Sequence, residues 1–214
     1  MKLREYQNNI AIQAANKLTT FGCCYLSMEC RTGKTLTALS AADKFNAKSV
    51  LFITKLKAIP SVKSDYIALQ PSFKLEVVNF ESSHKVTGRY DLVIIDEAHS
   101  LGAYPKPSKR TQEIKTICEG LPVLYLSGTP SPESYSQLYH QFWVCSKSPW
   151  KNYKSFYKWA KEYVYTRQKK VNGYLINDYS CANKPKIDND TKNLFISYSQ
   201  EQAGFEVNIN EHIL

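Results

Sequence analysis

Residues 28–35 read Met28-Glu-Cys-Arg-Thr-Gly-Lys-Thr35. This polar loop follows a short apolar run of strand length, Cys23–Met28, and precedes a helical stretch rich in Ala and Leu, Thr35–Phe45. Where a loop containing Gly-Lys-Thr joins a strand to a helix, backbone N–H groups and the positive end of the helix can hold phosphate groups. The stretch therefore predicts an α/β fold with a phosphate-binding loop.

The loop departs from the full phosphate-binding pattern G-x-x-x-x-G-K-[ST], because Met28 occupies the first Gly position. In a phosphate-binding loop, Gly33 would let the backbone approach a phosphate, Lys34 would contact the β- and γ-phosphates, and Thr35 would give its hydroxyl to Mg²⁺. An ordinary helix start with a solvated lysine is the alternative. The loop alone leaves both interpretations open.

A second motif favours the phosphate-binding interpretation. Tyr90-Asp-Leu-Val-Ile-Ile-Asp-Glu-Ala-His99 is an apolar strand that ends in two adjacent carboxylates. Asp96 can hold Mg²⁺ and Glu97 can polarise an attacking water as general base, and phosphoryl transfer requires both tasks beside the γ-phosphate. A solvated acidic turn at the end of a strand is the alternative. The position of the pair downstream of a Gly-Lys-Thr loop, with strand candidates between, favours the catalytic interpretation.

The rest of the chain shows apolar runs that alternate with helical stretches. The strand candidates are Ser49–Thr54, Leu75–Phe80, Leu92–Ile95 and Val123–Leu126, and the helix candidates are Arg4–Leu18, Ile59–Leu69 and Thr111–Glu119. The pattern predicts a parallel sheet covered by helices on both faces, with ligands at the loops beyond the carboxyl ends of its strands. The chain from Ser131 to Tyr165 is predicted to be mainly helical, and past Arg167 it is predicted to be loop-like. Phe195–Leu214 offers no element that closes the fold.

Composition limits the class of protein. The 214 residues suffice for one large domain, or one domain with an appendage, and 43% of them are hydrophobic. The formal net charge of +9, from 28 Lys and Arg against 19 Asp and Glu, is consistent with nucleic acid as partner. The six cysteines form no C-x-x-C pair, and the chain shows neither a signal-peptide core nor an apolar run of membrane-spanning length. We therefore expect reduced thiols, no membrane partner and a soluble, cytoplasmic protein.

Several motifs, in order, resemble those of the superfamily-2 helicases across residues 3–145. Leu3-Arg-Glu-Tyr-Gln7 looks like the Q-motif, Glu29–Thr35 like motif I, Leu51–Ile59 like motif Ia, Asp96-Glu-Ala-His99 like the DEAH box, and Ser127-Gly-Thr-Pro130 like motif III. The resemblance implies a RecA-like P-loop NTPase domain that uses ATP and Mg²⁺. The chain is most similar to the Swi/Snf-type double-stranded DNA translocases and their phage-encoded relatives, through Glu29, Ser108-Lys109 and the segments Gln137–Trp143 and Phe156–Tyr163.

The resemblance also implies a role for each motif residue. ATP would be bound by Arg4, Gln7, Glu29, Arg31, Thr32, Gly33, Lys34 and Thr35, with Gln7 on the adenine edge. Thr35 and Asp96 would hold Mg²⁺, and the catalytic residues would be Lys34, Asp96 and Glu97. His99, Ser127 and Thr129 would couple the ATP site to the nucleic acid, which Lys55, Lys109 and Arg110 would contact. Two positions depart from the family: Arg31 stands where motif I usually has Gly, and Lys55 where motif Ia usually has Pro.

The resemblance implies a division into a RecA-like lobe, 1–145, and a helical basic appendage with a linker, 146–214, which is expected to lead toward a second RecA-like lobe absent from this chain. The cations Lys154, Lys158 and Lys161 fall in a basic, aromatic-rich stretch and would grip a nucleic-acid backbone. The alternative is an amphipathic helix with solvated lysines, whose buried stripe is Phe156, Trp159, Ala160 and Tyr163. The two interpretations can coexist.

These observations predict the ATP-binding lobe of an ATP-dependent DNA helicase or translocase. Activity is expected to be weak in the lobe alone, because the family carries its arginine finger on the second lobe. Double-stranded DNA is the expected partner, and a phage protein in a bacterial host is an expected origin. A stand-alone regulatory protein that binds ATP or nucleic acid, and the motor part of a restriction nuclease, are the alternatives.

Overall fold

The computed structural model describes residues 3–204. Its helices are α1 (Glu5–Phe21), α2 (Lys34–Lys44), α3 (Ile59–Leu69), α4 (Lys109–Ile117), α5 (Gln137–Trp143), α6 (Phe156–Tyr163) and α7 (Lys184–Thr191). Its strands are β1 (Cys23–Met28), β2 (Ser49–Thr54), β3 (Lys74–Asn79), β4 (Leu92–Asp96), β5 (Val123–Leu126), β6 (Arg167–Val171), β7 (Tyr174–Asp178) and β8 (Phe195–Tyr198). Short 3₁₀ helices cover Leu56–Ala58, Phe80–Lys85 and Ala98–Leu101.

Six of these strands form one sheet in the order β3-β2-β4-β5-β1-β8. Every pairing within it is parallel. Strand β5 lies between β1, which leads into the Gly-Lys-Thr loop, and β4, which ends at Asp96. Because the carboxyl ends of parallel strands meet at one edge of the sheet, the loops after β1, β4 and β5 lie together there.

Both faces of the sheet are covered. Along β2, Leu51 and Ile53 belong to one apolar core, whereas Val50 and Phe52 belong to the other. The first core is completed by side chains of α4, α5 and α6, and the second by side chains of α1, α2 and α3. This alternation is the pattern of a strand buried on both sides. The predicted RecA-like α/β fold class, a parallel sheet flanked by helices, is confirmed.

Helix α1 extends beyond the predicted end at Leu18 and ends at Phe21. The next residue, Gly22, caps the helix in a left-handed conformation. Gly22 has a φ of 71° and its N–H donates to the Leu18 carbonyl.

Every helix within residues 3–204 is too short or too polar to span a membrane. All six cysteines are free, and Cys23, Cys24, Cys118 and Cys145 are buried.

The loop-like interpretation past Arg167 is wrong for residues 167–178. Strands β6 and β7 form an antiparallel hairpin, with Val171 opposite Tyr174 and a turn at Asn172 and Gly173. Both turn residues have positive φ, 48° and 85°. An Asn-Gly pair favours such a two-residue turn. The hairpin is exposed along almost its whole length, so its strands carry no alternating apolar pattern that predicts them.

The chain after Lys184 also differs from expectation. Residues 184–191 form α7, and Phe195–Tyr198 forms β8, which extends the central sheet by pairing with β1. The expectation that Phe195–Leu214 holds no closing element is therefore wrong for its first four residues. A four-residue strand at a sheet edge is too short for its apolar pattern to be distinctive. Residues 205–214 lie outside the described residues.

The chain from Ser131 onward is less helical than predicted, and part of it packs against the central sheet. Between Ser131 and Tyr165 only α5 and α6 are α-helical, and turns separate them. Trp150, Trp159 and Ile187 are buried in the same core as residues of the central strands. The Asp190 Oδ2 atom accepts hydrogen bonds from Trp150 Nε1 at 3.1 Å and from the Tyr163 hydroxyl at 2.6 Å. The part of 146–204 that contains these residues is therefore packed into the sheet domain.

Candidate nucleotide site

The predicted phosphate loop joins β1 to α2 through two left-handed residues. Gly33 precedes the first residue of α2 with a φ of 76°, and Arg31 has a φ of 62°. The hydroxyl of the buried Thr32 donates to the Glu29 carbonyl at 2.6 Å and closes the turn. Glycine adopts positive φ without strain, whereas another residue is destabilised there by about 1–2 kcal/mol. Arg31 therefore holds a left-handed conformation that glycine would adopt without strain.

Lys34 is the first residue of α2, and its side chain folds back over the loop. Its Nζ atom donates to the Met28 carbonyl at 2.6 Å and to the Glu29 carbonyl at 3.3 Å. A Cβ atom built on Gly128, just after β5, would lie 3.7 Å from this Nζ and 3.4 Å from the Met28 carbonyl oxygen. The ammonium is thus held by neutral carbonyls between β1 and β5, which leaves its charge available to an anion.

Gln7 lies against the phosphate loop. Its amide oxygen accepts the Arg4 N–H at 2.9 Å, and its side chain is buried. A Cβ atom built on Gly33 would lie only 2.1 Å from Gln7 Nε2. The neighbouring Tyr6 hydroxyl donates to the Thr32 carbonyl at 3.1 Å. The start of α1 is therefore docked on the loop, and the adenine contact of Gln7 stays a prediction.

Gly33→Ala is expected to destabilise the protein more than Gly120→Ala. Both glycines have nearly the same φ, 76° and 75°, but nothing lies within 4 Å of a Cβ atom on Gly120. At either position, placing alanine at a positive φ lowers the free energy of unfolding by about 1 kcal/mol. At Gly33 the new methyl group must also displace the Gln7 amide from Arg4, which adds about 1 kcal/mol. Chemical denaturation of both variants measures the difference.

The double variant Gln7→Ala/Gly33→Ala is the control for this explanation. Without the Gln7 amide, Gly33→Ala is destabilising only because alanine is strained at positive φ. The losses of unfolding free energy of the two single variants should therefore not add up in the double variant. Equal losses of unfolding free energy for Gly33→Ala and Gly120→Ala would show that the Gln7 contact contributes nothing.

Asp96 ends β4 beside a threonine that the sequence reasoning missed. The Thr54 hydroxyl, at the end of the neighbouring β2, donates to Asp96 Oδ2 at 2.7 Å, and the Glu97 N–H donates to Asp96 Oδ1 at 3.0 Å. Burial raises the pKa of Asp96, and the Thr54 hydrogen bond and the charge of Lys34 oppose that rise only in part. Thr54 could have been predicted as a site residue, because it is a polar residue at the carboxyl end of a buried strand.

The surroundings of Asp96 fit a divalent cation. Its ionised form is disfavoured by burial, and a bound cation would compensate that charge. Mg²⁺ is commonly held by one or two carboxylates together with phosphate oxygens and water, so a site of this kind needs no cage of protein ligands. Within residues 3–204 no cluster of three or more His, Cys, Asp or Glu side chains is present. Thr35 is the second residue of α2, and its hydroxyl stays the predicted second ligand.

Glu97 is held in a left-handed conformation with a φ of 52° at the turn that follows β4. Its Oε1 atom lies 3.7 Å from Lys55 Nζ, and its Oε2 atom lies 3.3 Å from His99 Nδ1. Non-glycine residues with positive φ are uncommon and concentrate at functional sites. The turn brings the Glu97 carboxylate within 4 Å of these two partners.

The three predicted coupling residues form a connected group. His99 Nδ1 lies 3.0 Å from the hydroxyl oxygen of the fully buried Ser127, and the Thr129 N–H donates to the same oxygen at 3.1 Å. The Ser127 N–H in turn donates to the Leu26 carbonyl in β1 at 3.2 Å. Contacts therefore run from Glu97 through His99 and Ser127 to the strand that carries the phosphate loop.

The segment after β8 contacts the predicted phosphate loop, and no sequence pattern indicates this contact. The Gln200 N–H donates to Glu29 Oε2 at 2.7 Å, and the Gln200 side-chain amide donates to the Cys30 carbonyl at 2.9 Å. Tyr198 stacks on Tyr6 with ring centroids 4.6 Å apart. Glu29, a predicted ATP ligand, is thus engaged with the chain beyond the sheet.

The residues predicted to contact nucleic acid differ in their freedom. The side chains of Lys55 and Lys109 are 59% and 92% exposed. Each of these two lysines forms a long ion pair with a carboxylate, at 3.7 and 4.0 Å. Arg110 is less exposed and forms a closer pair, at 2.8 Å with Glu81, and it lies over the Phe80 ring. Lys55 and Lys109 are thus better placed than Arg110 to meet a phosphate backbone.

Helix α6 has the predicted amphipathic pattern. Phe156, Trp159, Ala160 and Tyr163 are buried. The lysines are exposed: Lys158 and Lys161 lie on the outer face of α6, and Lys154 precedes it. The apolar stripe is confirmed, and most aromatics of this stretch are core residues rather than base-stacking surfaces. The exposed hairpin adds Arg167, Lys169 and Lys170 to the same part of the sequence.

Comparison with known proteins found similarity to solved structures only. No protein-family model matches the sequence, and no curated protein matches it. The chain is similar to a solved structure of a nuclease-deletion mutant of the Type ISP restriction-modification enzyme LlaGI in complex with a DNA substrate mimic, with 15% sequence identity and a TM-score of 0.44. The match covers 61% of this chain and 18% of that one, so the chain spans less than a fifth of that protein. Any functional proposal must therefore rest on the geometry of the site.

Proposed function

We propose that this chain is the ATP-binding lobe of an ATP-dependent nucleic-acid motor of the superfamily-2 type. The observation that carries the proposal is the meeting of three elements at one edge of the sheet: the Lys34 loop after β1, the Asp96–Glu97 pair after β4, and Ser127 after β5. The contacts from Glu97 through His99 to Ser127 support a link between these elements. A solvated helix start and an unrelated acidic turn would require no such assembly.

The proposed division of tasks follows from the chemistry of each group. Lys34 would exchange its carbonyl partners for phosphate oxygens, and the N–H groups at the start of α2 would add further donors. Thr35 and Asp96 would hold Mg²⁺, which neutralises charge on the phosphates when bound. Glu97 would accept a proton from the attacking water. Gln7 would contribute adenine contacts from its position on the loop.

Double-stranded DNA is the proposed partner. The net charge of +9 favours a polyanion, and the exposed lysines Lys55, Lys109, Lys154, Lys158 and Lys161 would neutralise phosphates. The finer proposal is a Swi/Snf-type or phage-encoded DNA translocase that works inside a cell. We expect this chain to bind MgATP but to hydrolyse it slowly, because a second RecA-like lobe would supply an arginine to the transition state.

Lys34→Ala is expected to weaken MgATP binding by roughly ten- to hundredfold, since hydrogen bonds from a charged donor to phosphate are lost. Lys44→Ala, at the exposed end of the same helix, removes an equal charge away from the loop and should leave the affinity unchanged. A titration with fluorescent ATP in Mg²⁺ measures both variants. Equal ATP affinities for the wild type and Lys34→Ala would overturn the proposed nucleotide site.

A further inference from the structure

Lys55 and Glu97 face each other across two neighbouring strands. Ile53 of β2 pairs with Ile95 of β4, and each of the two charged residues follows its strand by the same number of positions. Their side chains meet with Lys55 Nζ 3.7 Å from Glu97 Oε1. The Lys55 side chain is 59% exposed and that of Glu97 is 35% exposed. One partner of this ion pair is therefore open to solvent at the edge where the site lies.

The pair joins two residues that the proposed function assigns to different tasks. Lys55 belongs to the segment proposed to contact the nucleic-acid backbone, and Glu97 is the proposed base for the attacking water. One Glu97 oxygen lies 3.7 Å from Lys55 Nζ, and the other lies 3.3 Å from His99 Nδ1, which also lies 3.0 Å from the Ser127 hydroxyl oxygen. The Glu97 carboxylate is therefore already paired with Lys55 in the absence of nucleic acid.

We propose that Lys55 is a positioning residue that restrains Glu97 until nucleic acid binds. This inference rests on the proposed function. A phosphate of the backbone competes with the Glu97 carboxylate for the Lys55 ammonium, and Glu97 is then free to turn toward a water beside the nucleotide. The restraint is weak enough to be released, because an exposed ion pair contributes little and is screened by salt. A lysine at this position, where the related motif has proline, makes the competition possible.

The competition also affects the affinity for DNA, which can be measured without ATP hydrolysis. If Lys55 must leave Glu97 to reach DNA, then removing the Glu97 charge strengthens DNA binding through Lys55. Glu97→Gln also lowers general repulsion between the protein and DNA, so one variant alone is ambiguous. A double-mutant cycle of Lys55→Met and Glu97→Gln separates the two effects.

The test is the affinity of four proteins for a short fluorescein-labelled DNA duplex, by anisotropy at low salt and without nucleotide. The four are the wild type, Lys55→Met, Glu97→Gln and the double variant. Glu97→Gln is expected to tighten binding by about two- to fivefold more when Lys55 is present than when it is Met. The same factor in both backgrounds overturns the proposal. Absence of duplex binding by the wild type would instead contradict the proposed DNA partner itself.

The rate of ATP hydrolysis without DNA gives an independent measurement. Lys55→Met is expected to raise this rate by about two- to fivefold, because Glu97 is no longer restrained. Lys55→Arg keeps the cation and should stay near the wild-type rate. Lys63→Met, which removes an exposed lysine on α3, is the control for the loss of charge. A Lys55→Met rate no higher than that of the wild type contradicts the restraint.

Discussion

Glu97→Gln is expected to reduce ATP hydrolysis by about 10²–10⁴-fold, the usual contribution of a general base. The amide keeps the size of the side chain but cannot accept a proton from water. ATP affinity should change little, because the proposed phosphate and Mg²⁺ ligands are Lys34, Thr35 and Asp96. Single-turnover hydrolysis with radiolabelled ATP, together with a binding titration, separates the two quantities.

Glu133→Gln is the matched control for the loss of one carboxylate near the same edge. Glu133 is exposed after β5, and its carboxylate lies 3.5 Å from the Gln137 amide nitrogen rather than near Lys55 or His99. Its hydrolysis rate should equal that of the wild type. A Glu97→Gln rate within about tenfold of the wild type would assign the activation of water to another group.

Trp159→Ala is expected to lower the free energy of unfolding by about 3–5 kcal/mol, as for other large aromatic side chains removed from a core. Trp159 is fully buried and packs against the rings of Trp150, Phe156 and Tyr163. Because these residues share a core with the central sheet, the loss should appear in unfolding of the whole domain. Denaturant titrations followed by fluorescence and by circular dichroism should therefore give one coincident transition.

Tyr157→Ala provides the comparison for Trp159→Ala on the same helix. The Tyr157 side chain is 44% exposed, so its removal should change stability by no more than about 0.5–1 kcal/mol. Two separate transitions in the Trp159→Ala protein would mean that the chain after residue 145 unfolds as an independent unit. That result would support the predicted boundary between lobe and appendage.

Most of the sheet was predictable because its strands are buried on both faces. Such strands appear in the sequence as short, nearly continuous apolar runs, and the expected ranges Ser49–Thr54 and Val123–Leu126 agree with β2 and β5. Their polar flanks at the carboxyl ends then located the loops where the candidate site lies. The parallel arrangement brings those loops together without any further information.

The hairpin and the last strand were missed for different physical reasons. Strands β6 and β7 bury almost nothing, so no apolar pattern marks them in the sequence. Strand β8 is short and lies at the sheet edge. Three contacts of the site also depend on distant segments: Gln7 over Gly33, Gln200 on Glu29, and Lys55 on Glu97. Sequence spacing carries no information about such encounters.

We propose that this one lobe both binds ATP and senses a nucleic-acid track. A titration of the wild-type chain with fluorescent MgATP, first alone and then with a saturating DNA duplex, tests both properties at once. We predict saturable ATP binding, and we expect the duplex to change the affinity for ATP by about fivefold or more. The coupling free energy between two linked binding sites is typically about 1–3 kcal/mol, which corresponds to a change of this size. Absence of ATP binding under both conditions, or one identical affinity in both, would contradict the claim.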